Sequence, residues 1–367
     1  MALRTQPPPG QAGEAVTPPP QASGVSTWTI PLQVSVSIGT AQLGIAAATA
    51  DGWIPAGAGQ PAATAAELFG WGRPTRPPAA PKITAPFSLA ALIRAGFSWD
   101  GALSLALASQ LAYEAPAAVQ ARCLDWGFSS CEPISKGPAQ CFVAGTDELV
   151  LVSFRGTEGV ADWLSNLKLA SRESGRFGPV HAGFLEQFKA LQQDIEAILR
   201  SAPGRRLVIT GHSLGGAIAA LAAASWVGEL PLHSLYTYGQ PMVGKAVFAT
   251  YVQRRFADRY VRFVNAADVV TRVPPGYRHA GQLYRFDASG GLSAQPAGTG
   301  GRESSPITPA AETSQALSAA EFRDLQARLQ ACRPAGAEGV VAQEGLTTLI
   351  SDHMILAYIS KIQKICS

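Results

Sequence analysis

The chain has 367 residues, 47% of them hydrophobic, and carries 29 Lys and Arg against 26 Asp and Glu for a net charge of +3. That composition supports a sizeable buried core, and the small, scattered positive excess argues against a nucleic-acid partner. No cluster with metal-ligand spacing and no phosphate-cradling loop stands out, so neither a metal nor a cofactor is expected.

Residues 1–85 are rich in Pro, Ala and Gly and read as a separate amino-terminal region. The triplets Pro7-Pro8-Pro9 and Pro18-Pro19-Pro20 predict a disordered tail. Beyond it, Leu32, Val34, Val36 and Ile38 alternate with polar residues and predict a short strand. The uncharged stretch from Ala15 to Ala50 is broken by Gly, Ser, Thr, Gln and Pro well short of the ~20 apolar residues a membrane helix needs, so no transmembrane segment is expected. Met1-Ala2-Leu3-Arg4 runs into prolines without an apolar stretch, and no export signal is visible. A cytoplasmic location is the default expectation, with export by another route open.

From residue 86 onward, strand and helix signals alternate. Leu149–Phe154 reads as a strand, followed by an amphipathic helix bearing Phe184, Phe188, Leu191, Ile195 and Ile198. Leu207–Thr210, Leu235–Tyr238, Tyr260–Asn265 and Gln282–Phe286 are further strands, with helices after Gly216 and near Phe248. This order predicts an α/β fold, a mostly parallel central sheet with helices on both faces. Within that domain, spanning 86–367, an insertion is expected at about 288–340: a Gly/Ser/Pro-rich loop over 288–317, then a helix opening at Ser318 with Glu321 as a capping box. Of the five cysteines, Cys123, Cys131 and Cys141 are close enough along the chain to pair, Cys332 and Cys366 are distant, and the odd count leaves one free.

The chemistry centres on Gly211-His212-Ser213-Leu214-Gly215, which lies directly between the strand Leu207–Thr210 and a helical run of small residues from Gly216 to Val227. A G-x-S-x-G match means little alone, but this placement matches the nucleophile elbow of α/β-hydrolases, where a strained turn exposes the serine oxygen above the sheet. Gly211 and Gly215 stand two residues either side of Ser213, where the turn packs strand against helix and a β-carbon would collide.

A serine nucleophile needs a histidine base, and the base needs a carboxylate to hold it. In this fold the order along the chain is Ser, acid, His, which excludes His181 and His212; His212 is moreover locked in the turn. His233 precedes any suitable acid. Asp268, just past the strand Tyr260–Asn265, sits at the sheet edge where catalytic groups gather, whereas Asp258 lies at the wrong end. Two bases remain. His279 follows Asp268 too closely for a further strand to intervene and reads as a hydrogen-bonded wall residue; His353, opening the apolar run Met354–Ile359, comes from a late loop able to reach the serine and is preferred.

The motifs Phe154-Arg155-Gly156-Thr157, Asp162 to Leu167, Val180-His181-Ala182-Gly183-Phe184, Gly211 to Gly216, Tyr238-Gly239-Gln240-Pro241, Asn265 to Pro275 and Asp352-His353, in that order, resemble the class 3, fungal-type lipases. The resemblance spans about 100–287 and the end from about 345, leaving the first 85 residues and about 288–340 outside it. It implies Ser213 as nucleophile, Asp268 as orienting acid and His353 as general base, with Thr157 and the Leu214 N–H forming the oxyanion hole. Arg155 reads as a structural hydrogen-bonding residue beneath that loop. The resemblance further makes the segment after Thr157 a lid, with Val160, Trp163 and Leu164 forming an apolar face and, with His212, the positions facing substrate. A lid that flips would adsorb transiently to a lipid surface; a fixed helix with Trp163 buried is the alternative, and both stay open. The activity implied is serine-dependent ester hydrolysis of acylglycerols. Phospholipase A1, an aryl or feruloyl-type esterase, and a catalytically silent hydrolase-fold binding protein are the alternatives; the intact Ser213, Asp268 and His353 set weighs against the last.

Overall fold

The computed structural model describes residues 34–38, 41–45, 47–49, 52–54, 87–201, 203–294, 316–331 and 350–367. The tail expected before residue 34, most of the inserted loop (295–315) and Cys332 lie outside the described residues. The expected early strand is β1 (Val34–Ile38), paired antiparallel with β2 (Ala41–Ile45); β3 (Ala47–Thr49) and β4 (Gly52–Ile54) form a second hairpin.

After three helices, α1 (Leu89–Ile93), α2 (Trp99–Leu111) and α3 (Pro116–Asp125), come β5 (Ser130–Lys136), β6 (Ala139–Gly145) and β7 (Leu149–Phe154). These three strands pair antiparallel. The sheet then continues in parallel from β7 through β10 (Arg206–His212), β11 (Leu232–Tyr238), β12 (Tyr260–Asn265) and β13 (Gln282–Phe286). The short β14 (Leu292–Ala294) closes that edge antiparallel. The resulting eight-stranded sheet is mainly parallel, ordered β14-β13-β12-β11-β10-β7-β6-β5. Its crossovers are the helices α5 (Ala182–Arg200), α6 (Leu214–Trp226) and α7 (Ala246–Phe256). A small hairpin, β8 (Ser171–Glu173) with β9 (Pro179–His181), lies outside this sheet.

The strands have a core on each face, and β7 shows why. Val150, Val152 and Phe154 point to one side and join the apolar stripes of α5 and α6, including Phe184, Phe188, Leu191, Ile195, Ile218 and Leu221. Leu149 and Leu151 point to the other and meet α2 and the last helix, α9 (Ile355–Cys366), through Leu103, Leu107, Tyr358 and Ile362. Alternation with period two across a doubly covered sheet yields nearly continuous apolar strands; every residue of β7 is buried.

No helix among the described residues is long and apolar enough to cross a membrane. Cys123, Cys131 and Cys141 are buried free thiols and Cys366 is an exposed one. Cys123 and Cys131 are in hydrogen-bond contact without being joined.

Candidate active site

β10 lies between the parallel strands β7 and β11 inside the sheet and ends at His212; α6 begins at Leu214. Ser213 makes the whole turn between them, at φ 59° and ψ −132°. A residue with a β-carbon at positive φ costs roughly 1–2 kcal/mol, so the surroundings must impose it. They do so by close approach. A β-carbon at Gly211 would lie 2.4 Å from the Gly215 carbonyl carbon, and one at Gly215 would lie 2.2 Å from the Phe154 oxygen. The Ser213 N–H is held by the Tyr238 carbonyl at 2.9 Å, and its own carbonyl accepts from the Gly216 N–H at 2.9 Å.

Asp268 leaves the end of β12 as the N-cap of a short 3₁₀ turn, its Oδ1 accepting from the Val270 N–H at 2.9 Å. Its Oδ2 accepts from His353 Nδ1 at 2.8 Å, with both side chains fully buried. Donation from Nδ1 leaves Nε2 with its lone pair, the state a general base requires. Ser213 Oγ and His353 Nε2 are both buried and neither has a hydrogen-bond partner. The structure thus pairs His353 with Asp268 and places Ser213 at the end of β10, its N–H held by Tyr238, with all three side chains buried.

A second donor converges on Asp268 that sequence reasoning missed. The Tyr358 hydroxyl, one turn into α9, donates to Oδ2 at 2.6 Å and accepts from the Asn265 N–H at 3.0 Å. Burial first, and the Asp268 charge second, push this phenol well above its ordinary pKa, so it stays a neutral donor. The loop before α9 is staked to the end of β12: Asn265 Nδ2 donates to the Asp352 carbonyl at 2.8 Å and the Ala267 N–H to Asp352 Oδ2 at 3.1 Å.

His212, which the sequence reading sets beside the lid residues as facing substrate, has both ring nitrogens engaged within the protein. Its buried ring turns inward, where Nε2 donates to the His353 carbonyl at 2.6 Å and Nδ1 accepts from the Tyr113 hydroxyl at 2.8 Å. Strand alternation puts its side chain on the same face of β10 as Thr210, which bonds Ser109 and the Leu105 carbonyl of α2. Burial, and then the neighbouring His353, hold its pKa well below the ordinary histidine value. The remaining histidines lie elsewhere: Nε2 of His181 bonds the Lys168 carbonyl, of His233 the Arg94 carbonyl, and of His279 the Thr271 carbonyl at 2.7 Å, the wall position expected for it.

Gly156 brings the end of β7 against Ser213, since a β-carbon there would fall 3.0 Å from that of Ser213. Thr157 follows it, and Leu214 supplies the first N–H of α6, one of the donors a helix start leaves over. Arg155 is tied to Gln140 Oε1 at 2.5 Å and to Glu158, consistent with a structural arginine. The segment expected to be a lid forms α4 (Val160–Asn166). Val160 and Leu164 are buried in the core, while Trp163 is half-buried and stacks on Phe184 at 6.2 Å.

A mainly parallel sheet with helices on both faces, a left-handed serine between its central strand and the next helix, and an acid and histidine at the same edge define an α/β-hydrolase. Residues 151–277 match the family model Lipase (class 3), the family that the motifs resemble. The chain is 37% identical over 147 residues to "Secreted mono- and diacylglycerol lipase 1" of Fusarium solani, covering 38% of this chain and 44% of that protein. It is 35% identical over 153 residues to "Lipase" of Rhizomucor miehei, covering 38% and 42%. It thus spans less than half the length of these curated relatives. Among solved structures, the triacylglyceride lipase of Rhizomucor miehei superposes with a TM-score of 0.45 at 26% identity, covering 54% of this chain and 84% of that one.

Proposed function

We propose that this chain is a serine-dependent carboxylic ester hydrolase acting on acylglycerols or similar fatty esters. Ser213 Oγ attacks the ester carbonyl while His353 Nε2 takes its proton, giving a tetrahedral oxyanion stabilised by the Leu214 N–H and by the Thr157 N–H and hydroxyl. Collapse expels the alcohol, which leaves with the proton from His353, and an acyl-enzyme remains. Water, deprotonated by the same nitrogen, then releases the acid and restores the serine. Asp268 keeps the imidazole in the Nδ1–H tautomer throughout.

One observation carries this reading. A serine held at positive φ on a glycine-flanked elbow shares its sheet edge with a buried His353–Asp268 pair at 2.8 Å. The acylglycerol preference is supported by the class 3 family match and by relatives named as lipases. Because Ser213 is buried, substrate entry requires movement of its cover, and α4, three residues past Thr157, is the segment we assign to it. Displacing its apolar face would suit transient adsorption to a lipid surface.

Ser213→Ala tests the assignment, with p-nitrophenyl butyrate, emulsified triolein and phosphatidylcholine as substrates. Loss of all hydrolysis is expected with folding retained, since loss of such a nucleophile costs ~10⁴-fold or more. Residual activity above one per cent of the parent, as judged against that ~10⁴-fold scale, would remove Ser213 from the role. Paired His353→Ala and His279→Ala variants test the base; only the first is expected to be nearly inactive.

A further inference from the structure

The helix inside the insertion is docked on α4. This helix, α8 (Ala319–Ala331), lies beyond the stretch that matches the family model. It opens with a reciprocal capping box: the Glu321 N–H donates to Ser318 Oγ at 3.2 Å and the Ser318 N–H to Glu321 Oε2 at 2.7 Å. Immediately before it, the Leu317 N–H donates to the Arg272 carbonyl at 3.0 Å, on the turn that follows Asp268. Its buried side chains Phe322, Leu325 and Leu329 enter the same apolar cluster as Val160, Leu164 and Leu167.

The polar contacts between the two helices are concentrated at one end of α4. The last carbonyls of a helix have no partner within it. Here Gln326 Nε2 reaches the carbonyls of Leu164 at 3.1 Å, Ser165 at 3.3 Å and Leu167 at 3.1 Å, and Gln330 Nε2 reaches that of Ser165 at 3.2 Å. A short helix whose terminus is capped by another element, and whose apolar face is shared with it, cannot swing away alone. It would strip Leu164 and Leu167 of packing and break the amide contacts together.

We propose that α8 is a brace that holds the cover helix α4 closed over Ser213, so that release of α8 sets the rate at which ester reaches the nucleophile. The inference rests on the proposed function, in which Ser213 is the nucleophile and α4 its cover. Its distinguishing consequence is that weakening α8, remote in sequence from every motif of the hydrolase, speeds access to the serine.

The test uses the full-length chain and two substitutions. Gln326→Glu keeps the shape of the side chain but removes the N–H donors and turns oxygens toward carbonyl oxygens; Gln326→Leu removes the donors without adding charge, and decides the matter if the Glu variant does not fold. Two quantities are measured: deuterium exchange of the 160–167 amides, and the rate at which a soluble p-nitrophenyl phosphonate labels Ser213. Both are expected to rise, roughly tenfold in the Glu variant and less in the Leu variant, on the scale of losing one or two buried hydrogen bonds. Unchanged exchange in both folded variants would show that α8 does not hold α4. Faster exchange with unchanged labelling would show that α4 does not gate the serine, and would overturn the brace equally. Failure of the parent itself to be labelled would instead overturn the nucleophile assignment, and the inference with it; exchange of α4 distinguishes that failure from the others.

Discussion

Gly239→Ala is the substitution for which the structure forecasts the largest effect from the smallest change. Gly239 follows β11 at φ +59°, and a methyl group there would lie 2.8 Å from both Cε1 and Nδ1 of His353 and 2.9 Å from Asp268 Oδ2. Carbon atoms rest at about 3.5 Å or more, so the overlap is about 0.7 Å on the ring. The backbone cannot absorb it, because the Gly239 N–H is bonded to the Phe263 carbonyl at 3.1 Å, and the His353 ring is boxed in by burial. The ring and carboxylate must move by several tenths of an ångström, and a displacement approaching ~1 Å in a catalytic group costs on the order of 10²-fold. The positive φ adds roughly 1–2 kcal/mol of strain, a loss of a few degrees in unfolding midpoint. Gly96→Ala separates the two effects: its φ is +78° and nothing lies within 4 Å of the new methyl. Both variants should lose similar stability by thermal melting, but only Gly239→Ala should lose kcat on a soluble short-chain ester, by about 10²-fold on that scale. If Gly239→Ala kept kcat within threefold of the Gly96→Ala value, as judged against that ~10²-fold, the His353–Asp268 pair would not be the machinery that the methyl group meets.

Tyr358→Phe removes the second donor to Asp268 but keeps the ring; a less shared carboxylate charge should tighten His353's hold on its proton and move the acid limb of the kcat/KM profile upward by roughly half to one pH unit, the equivalent of one hydrogen bond. A lower melting temperature with an unmoved limb would make Tyr358 a packing residue only. His212 and His181 are held below the ordinary histidine pKa, both chiefly by burial. The unfolded chain therefore takes up protons that the folded one refuses, so their stabilising effect is complete above about pH 6.5 and is lost as pH falls from there toward the folded values, at up to about 1.4 kcal/mol per pH unit for each ring. An unfolding midpoint that stayed flat between pH 7.5 and 5 would contradict it. Trp163→Ala should reduce hydrolysis of emulsified triolein more than that of a soluble ester if α4 opens at a lipid surface; an unchanged ratio of the two activities would mean that this indole acts only through its packing on Phe184.

What the sequence made legible is what local sterics dictate. The elbow needs small residues on either side of Ser213 because strand, turn and helix collide within five residues, and that demand is written in five consecutive positions. Asp268 and His353 could be chosen because strand order and chain order leave few alternatives among so few histidines. The helix α2 was not read, since Gly101 through Leu111 are buried on every side and such a helix has no amphipathic stripe to betray it. The β5–β6 hairpin was missed for a related reason: β5 is an edge strand with a largely polar exposed pattern.

The residues that were invisible share a different cause. Tyr358 meets Asp268 across 90 positions, and Gln326 meets Leu164 across 162. In the sequence the first reads as one more apolar residue in a C-terminal helix and the second as a polar residue on an exposed helix face. Each acquires its role only when the fold brings it to a group that has spare hydrogen-bonding capacity: a carboxylate oxygen already serving His353, or the carbonyls at the open end of α4. Local sterics thus specify where Ser213 stands, while on the roles proposed above groups supplied from beyond the family-matched segment hold its acid and its cover. The chemistry can therefore stay constant while access and proton affinity are tuned by elements that no active-site motif contains, which is why substitutions at Tyr358 and Gln326 should alter the pH profile and the rate of access without removing a reacting group.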